Sequence, residues 1–119
     1  LSVPGAITGR IEKRGERDAY TSTGRKGEVW ELAVQANRLG SPVDASLFVV
    51  GPDGKQLGAS DDDGPSPDPR LTVSLPADGA YTVIVADVSG KQPGPDAVYR
   101  LVLRKPANRF TLKVAPLVN

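Results

Sequence analysis

The chain has 119 residues and no cysteine, histidine or methionine, which excludes disulfides, thiolate nucleophiles, imidazole bases and the soft ligands of most zinc, copper and iron sites. This length is about that of one domain, and such a domain buries enough surface to fold without covalent cross-links. The formal net charge of +1 gives no reason to expect a nucleic-acid partner.

The charges are nevertheless unevenly distributed. Residues 1–43 hold seven basic and five acidic groups, residues 44–96 hold three and nine, and residues 97–119 hold five and none. These groups either balance as a solvated surface or let the acidic middle attract a cation.

No apolar run reaches the ~20 residues of a membrane span, and no signal-peptide pattern is present. Because the chain begins at Leu1, we expect it to be processed or part of a longer protein. We also expect the isolated domain to be monomeric.

The pattern of the first half of the chain predicts strands, except for one segment that also fits a helix. The segment "AYTSTG" (19–24) is rich in Tyr and Thr and ends at glycine, as a strand does before a turn. Residues 28–39 fit a helix through Val29, Leu32 and Ala36, and fit a strand through Trp30, Leu32 and Val34. Periodicity alone leaves both open, and we favour the strand because Val and Trp are good strand formers.

Apolar and polar residues alternate more clearly in the second half of the chain. Strands are predicted at "SLFVVG" (46–51), before the turn "PDG", and at "LTVSL" (71–75), before the turn "PADG". "AYTVIVADV" (80–88) carries apolar groups on both faces, which indicates a central strand, and "VYRLVLR" (98–104) turns Arg100 and Arg104 outward. "RFTLKVAP" (109–116) would add another strand. The sequence therefore predicts an all-β antiparallel β-sandwich of eight or nine strands.

Several of these segments occur in an order that resembles the bacterial pre-peptidase C-terminal domain, called PPC. The motifs that carry the resemblance are Asp18 with Tyr20, Gly27, Ser41-Pro42 with Asp44, Asp53-Gly54, Asp61 to Asp63, Asp68, and Asp78-Gly79 with Tyr81 and Asp87. The match spans roughly residues 5 to 104. It departs from the family pattern at Thr21 to Thr23, which replace a usual apolar position, and in having an aspartate triplet where the family has a pair.

The resemblance implies a jelly-roll-like sandwich over residues 1–105, with residues 106–119 as a terminal strand or a junction to a following domain. It also implies a non-catalytic module of a larger extracellular, periplasmic or cell-envelope bacterial protein. Relatives in bacterial collagenases bind collagen and calcium, and others are thought to aid secretion, targeting or attachment. The expected partners are therefore neighbouring domains and an extracellular protein or polysaccharide polymer.

The stretch "SDDDGPSPDPRL" (60–71) is the one candidate metal site. Asp61, Asp62, Asp63 and Asp68 offer carboxylates in a loop stiffened by proline, and Ca2+ prefers such oxygen ligands. The spacing is not that of an EF-hand, because the glycine and the glutamate of that motif are missing. The alternative is that these aspartates cap turns by accepting hydrogen bonds from backbone amides.

The sequence offers little for catalysis. Neither Ser41 nor Ser60 can be activated by a histidine, because the chain has none. Paired carboxylates would need a cleft, and no helices or long loops are predicted that would build a deep one. The aromatic residues form either a binding platform or part of the core, and the core is expected; they are Trp30, Tyr20, Tyr81 and Tyr99.

Two functions remain, a binding module or a structural spacer without a ligand. An exposed cluster of Tyr, Trp or Arg on one sheet would favour the first. The basic cluster Arg100, Arg104, Lys105 and Arg109 is either part of such a surface or a solvated edge.

Overall fold

The computed structural model describes residues 5–36, 43–61, 68–90 and 92–105. These ranges contain eight strands: β1 (Gly5–Arg10), β2 (Arg17–Gly24), β3 (Val29–Gln35), β4 (Ala45–Val50), β5 (Gln56–Ser60), β6 (Arg70–Ser74), β7 (Gly79–Asp87) and β8 (Val98–Arg104). Within the same ranges, no helix has the length and apolar character needed to cross a membrane. Residues 106–119, predicted as a terminal strand or junction, lie outside the described part.

The strands form two four-stranded sheets that pack face to face. Sheet A has the order β1-β8-β3-β6, and sheet B has the order β2-β7-β4-β5. Every pairing is antiparallel. The predicted antiparallel sandwich is confirmed, with eight strands in the described ranges. The first and last of these strands are neighbours, so that Gly5 lies opposite Leu103 and Arg10 lies opposite Val98.

The ambiguous segment is a strand. In β3, Trp30, Leu32 and Val34 are buried, and the residues between them are partly exposed. This period of two is that of a sheet with one face on the core. The segment lies between β8 and β6, and hydrogen bonding to both neighbours stabilises the extended form over a helix. The strand prediction is confirmed.

The core fills the space between the inner faces of the two sheets. Its largest fully buried side chains include Trp30 from sheet A, Tyr81 from sheet B and Tyr99 from sheet A. The rings of Trp30 and Tyr81 meet edge to face, with centroids 5.5 Å apart and an interplanar angle of 62°. These three residues are therefore core and not an exposed platform. Tyr20 is half-buried at the margin of the same core.

The predicted "PDG" turn connects β4 to β5. The amide of Gly54 donates to the carbonyl of Gly51 at 3.0 Å, and Gly54 has a φ of +84°, which glycine adopts without steric cost. Asp53 closes the turn by accepting a hydrogen bond from the amide of Lys55 at 3.0 Å. The local sequence thus determines this hairpin connection.

Candidate functional site

The predicted calcium ligands lie on the connection between β5 and β6. Asp61 follows β5 and is exposed, and its Oδ1 accepts a hydrogen bond of 2.6 Å from the Oγ of the buried Ser46. Asp68 precedes β6 and is only 7% exposed. Asp62 and Asp63 lie outside the described residues. Among the residues that are described, no three acidic side chains gather closely enough to hold a metal. Because two of the four predicted ligands lie outside the described residues, the calcium site stays a prediction.

Asp87 acts as a turn cap at the end of β7. Its Oδ1 accepts hydrogen bonds from the amides of Asp44 at 3.2 Å and Ser89 at 3.1 Å, and its Oδ2 accepts one from the Ser89 hydroxyl at 3.0 Å. The amide of Val88 in turn donates to the carbonyl of Asp44 at 2.9 Å. Asp87 is 6% exposed, so these bonds replace the water that its carboxylate has lost.

Three polar side chains meet between the sheets, namely Asp18, Tyr20 and Tyr99. With Glu16, which directly precedes β2 and is partly exposed, they form what we name the tyrosine–carboxylate cluster. The Tyr99 hydroxyl donates to Oδ2 of Asp18 at 2.5 Å and shares a hydrogen bond of 2.5 Å with the Tyr20 hydroxyl. Tyr99 belongs to sheet A, whereas Asp18 and Tyr20 belong to sheet B. The cluster is therefore a polar link between the two layers.

The two carboxyls of the cluster have opposite pKa shifts. Burial, followed by hydrogen bonding with Glu16, raises the pKa of Asp18 from its ordinary 3.8 to about 6. Hydrogen bonding with Asp18 lowers the pKa of Glu16, helped by the backbone amides of Glu12 and Lys13, which both donate to its Oε1. Between the two pKa values, Glu16 thus carries the negative charge of the pair, and Asp18 holds its proton to higher pH than an ordinary aspartate does.

Tyr99 acts as the hydrogen-bond donor of the cluster. Burial, followed by its bond to Asp18, raises the pKa of Tyr99, so its hydroxyl stays protonated and acts as a donor. Gly9 makes room for it, because a Cβ at Gly9 would lie 2.4 Å from the Tyr99 hydroxyl oxygen and 2.8 Å from that of Tyr20. The hydroxyls therefore bind one another and the carboxyl, with no side chain from β1 between them.

Sequence reasoning singled out Asp18 and Tyr20 but missed Glu16 and Gly9. The inward direction of Asp18 and Tyr20 could have been inferred, since they alternate with exposed residues and pair with the buried Val85 and Val83. The approach of Gly9 to Tyr99 joins residues far apart in the chain, and no local pattern predicts it.

The outer surface of sheet A carries exposed arginines, and we name it the arginine face. Arg100 and Arg104 alternate with the buried Leu101 and Leu103 of β8 and therefore point away from the core. Because directly paired residues share a side of the sheet, the cross-strand rows define the rest of this face. The rows are Arg10–Val98, Thr8–Arg100–Gln35, Ala6–Val102–Ala33–Arg70 and Arg104–Glu31–Thr72.

The four arginines of this face are all exposed, and Glu31 is the one acidic residue in these rows. Glu31 lies directly opposite Arg104 and diagonally to Arg70. Arg10 and Arg100 instead have only neutral residues opposite them. Within these rows, positive charge is therefore least compensated at Arg10 and Arg100.

The basic cluster predicted near the end of the chain is thus rearranged. β8 lies between β1 and β3, so Arg100 and Arg104 cannot serve to protect a sheet edge. Lys105 leaves the cluster to form an ion pair with Glu28, with its Nζ 3.0 Å from Oε2. Arg109 lies outside the described residues. In the described part of the chain, Arg10 and Arg70 lie on the same face of sheet A as Arg100 and Arg104.

Solved structures with the same architecture come from several bacterial proteins. The pre-peptidase C-terminal domain of collagenase from Bacillus anthracis matches with a TM-score of 0.68, over 87% of this chain and 90% of its own, at 11% sequence identity. The chain has the fold of that domain. The resemblance predicted from the motifs is confirmed at the level of fold, and an identity of 11% transfers no residue's role.

Two further matches show that other proteins use this fold. PliG from Aeromonas hydrophila, a periplasmic inhibitor of g-type lysozyme, has a TM-score of 0.65 and 18% identity, over 85% of this chain and 84% of its own. The structure of CBM51-2 in complex with GlcNAc and INT domains from Clostridium perfringens ZmpB has a TM-score of 0.56 and 13% identity, over 87% of this chain and 22% of that chain. No protein-family model and no curated protein sequence matches this chain.

Proposed function

We propose that this domain is a non-catalytic binding module of a larger secreted, periplasmic or cell-envelope bacterial protein, and that it attaches that protein to an extracellular polymer. The arginine face carries the proposal. A spacer needs only a solvated surface of mixed charge, whereas this face has four exposed arginines and one glutamate on a single sheet. Arginine is enriched at binding surfaces because its guanidinium forms several directed hydrogen bonds.

The non-catalytic part of the proposal is supported by the surroundings of the carboxylates. Asp18 and Glu16 are bound to each other, and Asp18 also accepts a bond from Tyr99 between the sheets. Asp87 is bound to two amides and a hydroxyl. A general acid or base must instead reach a substrate proton. The extracellular or periplasmic location is consistent with the periplasmic inhibitor and the collagenase domain that share the fold.

Binding can be tested by retention on insoluble polymers. The chain is mixed with chitin, cellulose, peptidoglycan, collagen fibrils and a calcium pectate gel, and the protein left in solution is measured. We expect depletion by at least one polymer and little by the others. A chain that stays in solution with all five, like an inert control protein, would contradict the binding function and favour the structural spacer.

We also propose that Ca2+ stabilises the connection between β5 and β6. The proposal is supported by the four carboxylates of Asp61, Asp62, Asp63 and Asp68, whose connection is anchored by strands at both ends. Three consecutive negative charges repel one another, and a cation would relieve that repulsion.

The measurement is thermal unfolding in millimolar Ca2+ and in chelator. A free ligand at 100 times its dissociation constant adds about 2.7 kcal/mol to the free energy of unfolding, so we expect a Tm higher by several degrees. Asp62→Asn with Asp63→Asn should abolish the shift. Asp53→Asn with Asp96→Asn removes the same charge elsewhere and should preserve it. An unchanged Tm in the unmodified chain would exclude the site.

A further inference from the structure

We propose that the arginine face binds a linear acidic polysaccharide whose sugars carry carboxylates, such as a polyuronate. The inference rests on the proposed binding function and adds the chemical class of the polymer. It is carried by the cross-strand register, which brings arginines from three strands onto one surface.

The first step is the spacing of the arginines. Arg10 lies opposite Val98, two residues from Arg100, so Arg10 and Arg100 are diagonal neighbours with Cα atoms ~7 to 8 Å apart. Arg104 is four residues further along β8, roughly 13 Å away. The charges thus form an extended array that fits a chain with repeated carboxylates better than a single small anion.

The second step is the shape of the surface between the arginines. The row that crosses all four strands contains Ala6, Val102 and Ala33 before it reaches Arg70. Short side chains project little above the sheet. A polymer could therefore lie across this row, with the guanidinium groups in contact with the polymer from the sides. A guanidinium binds a carboxylate through two parallel hydrogen bonds, which gives both charge and direction.

The third step is the choice among polyanions. Proteins that bind single-stranded nucleic acids stack bases on aromatic side chains, and the defined rows of this face contain no aromatic residue. The net charge of the whole chain is +1, which provides little general attraction for nucleic acid. A neutral polysaccharide would offer no carboxylate to Arg10 and Arg100, which have only neutral residues opposite them. A carboxylated polysaccharide carries repeated negative charge for the array of arginines, can lie across the short side chains between them, and needs no aromatic side chain for stacking.

The test uses polygalacturonate and its fully methyl-esterified form, which has the same backbone without the charge. Affinity electrophoresis gives the dissociation constant of the full chain for each polymer at several salt concentrations. We expect binding to the acid form, at least tenfold weaker binding to the ester, and weakening with salt because the contacts are charged and exposed.

The decisive variant is Arg10→Glu with Arg100→Glu, which reverses the least compensated charges. We expect it to bind polygalacturonate at least tenfold more weakly. The matched control, Arg14→Glu with Lys55→Glu, makes the same change in net charge at exposed positions in the β1–β2 and β4–β5 connections, and should keep the affinity within about twofold. Circular dichroism and Tm show that each variant is folded.

The other outcomes separate this inference from the proposed function. Equal binding of the acid and the ester, or equal loss in both variants, would overturn the acidic-polymer inference and leave the binding function standing. Retention on chitin or collagen without binding to polygalacturonate would do the same. Tighter binding to single-stranded DNA or to an acidic protein than to polygalacturonate would assign the face to that other partner.

Discussion

Replacing Gly9 with alanine is expected to lower the free energy of unfolding by about 2 to 4 kcal/mol, the combined effect of an overpacked core and a disturbed buried hydrogen bond. The new Cβ would lie 2.4 Å from both Cζ and the hydroxyl oxygen of Tyr99. The ring has little room to move, because Tyr99 is fully buried and bound to Asp18 and Tyr20. Urea unfolding followed by the fluorescence of Trp30 measures the loss.

The neighbouring Thr8→Ala provides the control for this change. Thr8 is in the same strand but faces outward and is exposed, so its replacement should cost well under 1 kcal/mol. If Gly9→Ala were as stable as Thr8→Ala, the close approach of β1 to the two tyrosine hydroxyls would not be a constraint on the fold.

Replacing Tyr99 with phenylalanine is expected to cost more at pH 7.5 than at pH 4.5. The pKa of Asp18 is about 6, so its carboxyl is mostly protonated at the lower pH and ionised at the higher pH. The lost bond is therefore neutral at pH 4.5, worth ~0.5 to 1.5 kcal/mol, and charged at pH 7.5, worth ~1.5 to 3 kcal/mol. The free energy of unfolding, measured at both pH values, gives the difference.

The same pKa also determines how the stability of the unmodified protein depends on pH. The folded state holds the Asp18 proton more tightly than the unfolded state does, so the contribution of Asp18 to stability falls as the pH rises from 3.8 to about 6. Asp18→Asn should remove this dependence, because the amide does not titrate.

Tyr81→Phe is the matched control for Tyr99→Phe. The Tyr81 hydroxyl donates to the carbonyl of Ala77 at 2.5 Å, a partner that does not titrate. Its loss should cost ~1 kcal/mol at both pH values. Equal pH dependence in the two variants would show that the Tyr99 bond does not depend on the ionisation of Asp18.

Much of the fold could be predicted because the strands alternate strongly. β7 and β8 have apolar residues at every second position, and their burial follows that pattern. β1 and β5 were not singled out as strands. β1 contains Gly5 and Gly9, and β5 is five residues long with Gly58 in the middle, so neither carries a strong strand signal. Their pairing with β8 and β4 makes them strands.

The candidate sites were less predictable because they depend on register. Alternation alone directs Arg100 and Arg104 outward, but only the pairing of β1 and β6 with the central strands brings Arg10 and Arg70 to the same face. The bond between Asp18 and Tyr99 joins residues 81 positions apart. Local patterns determine the direction of a side chain, and the sheet topology determines its neighbours.

The pairing of β1 with β8 also determines how the domain can be attached to other polypeptides. Gly5 and Leu103 are directly opposite each other on adjacent strands, with Cα atoms about 5 Å apart. Segments joined before Gly5 and after Lys105 would therefore meet the sandwich at the same end. The sandwich itself would therefore add little to the distance between segments joined at these two points.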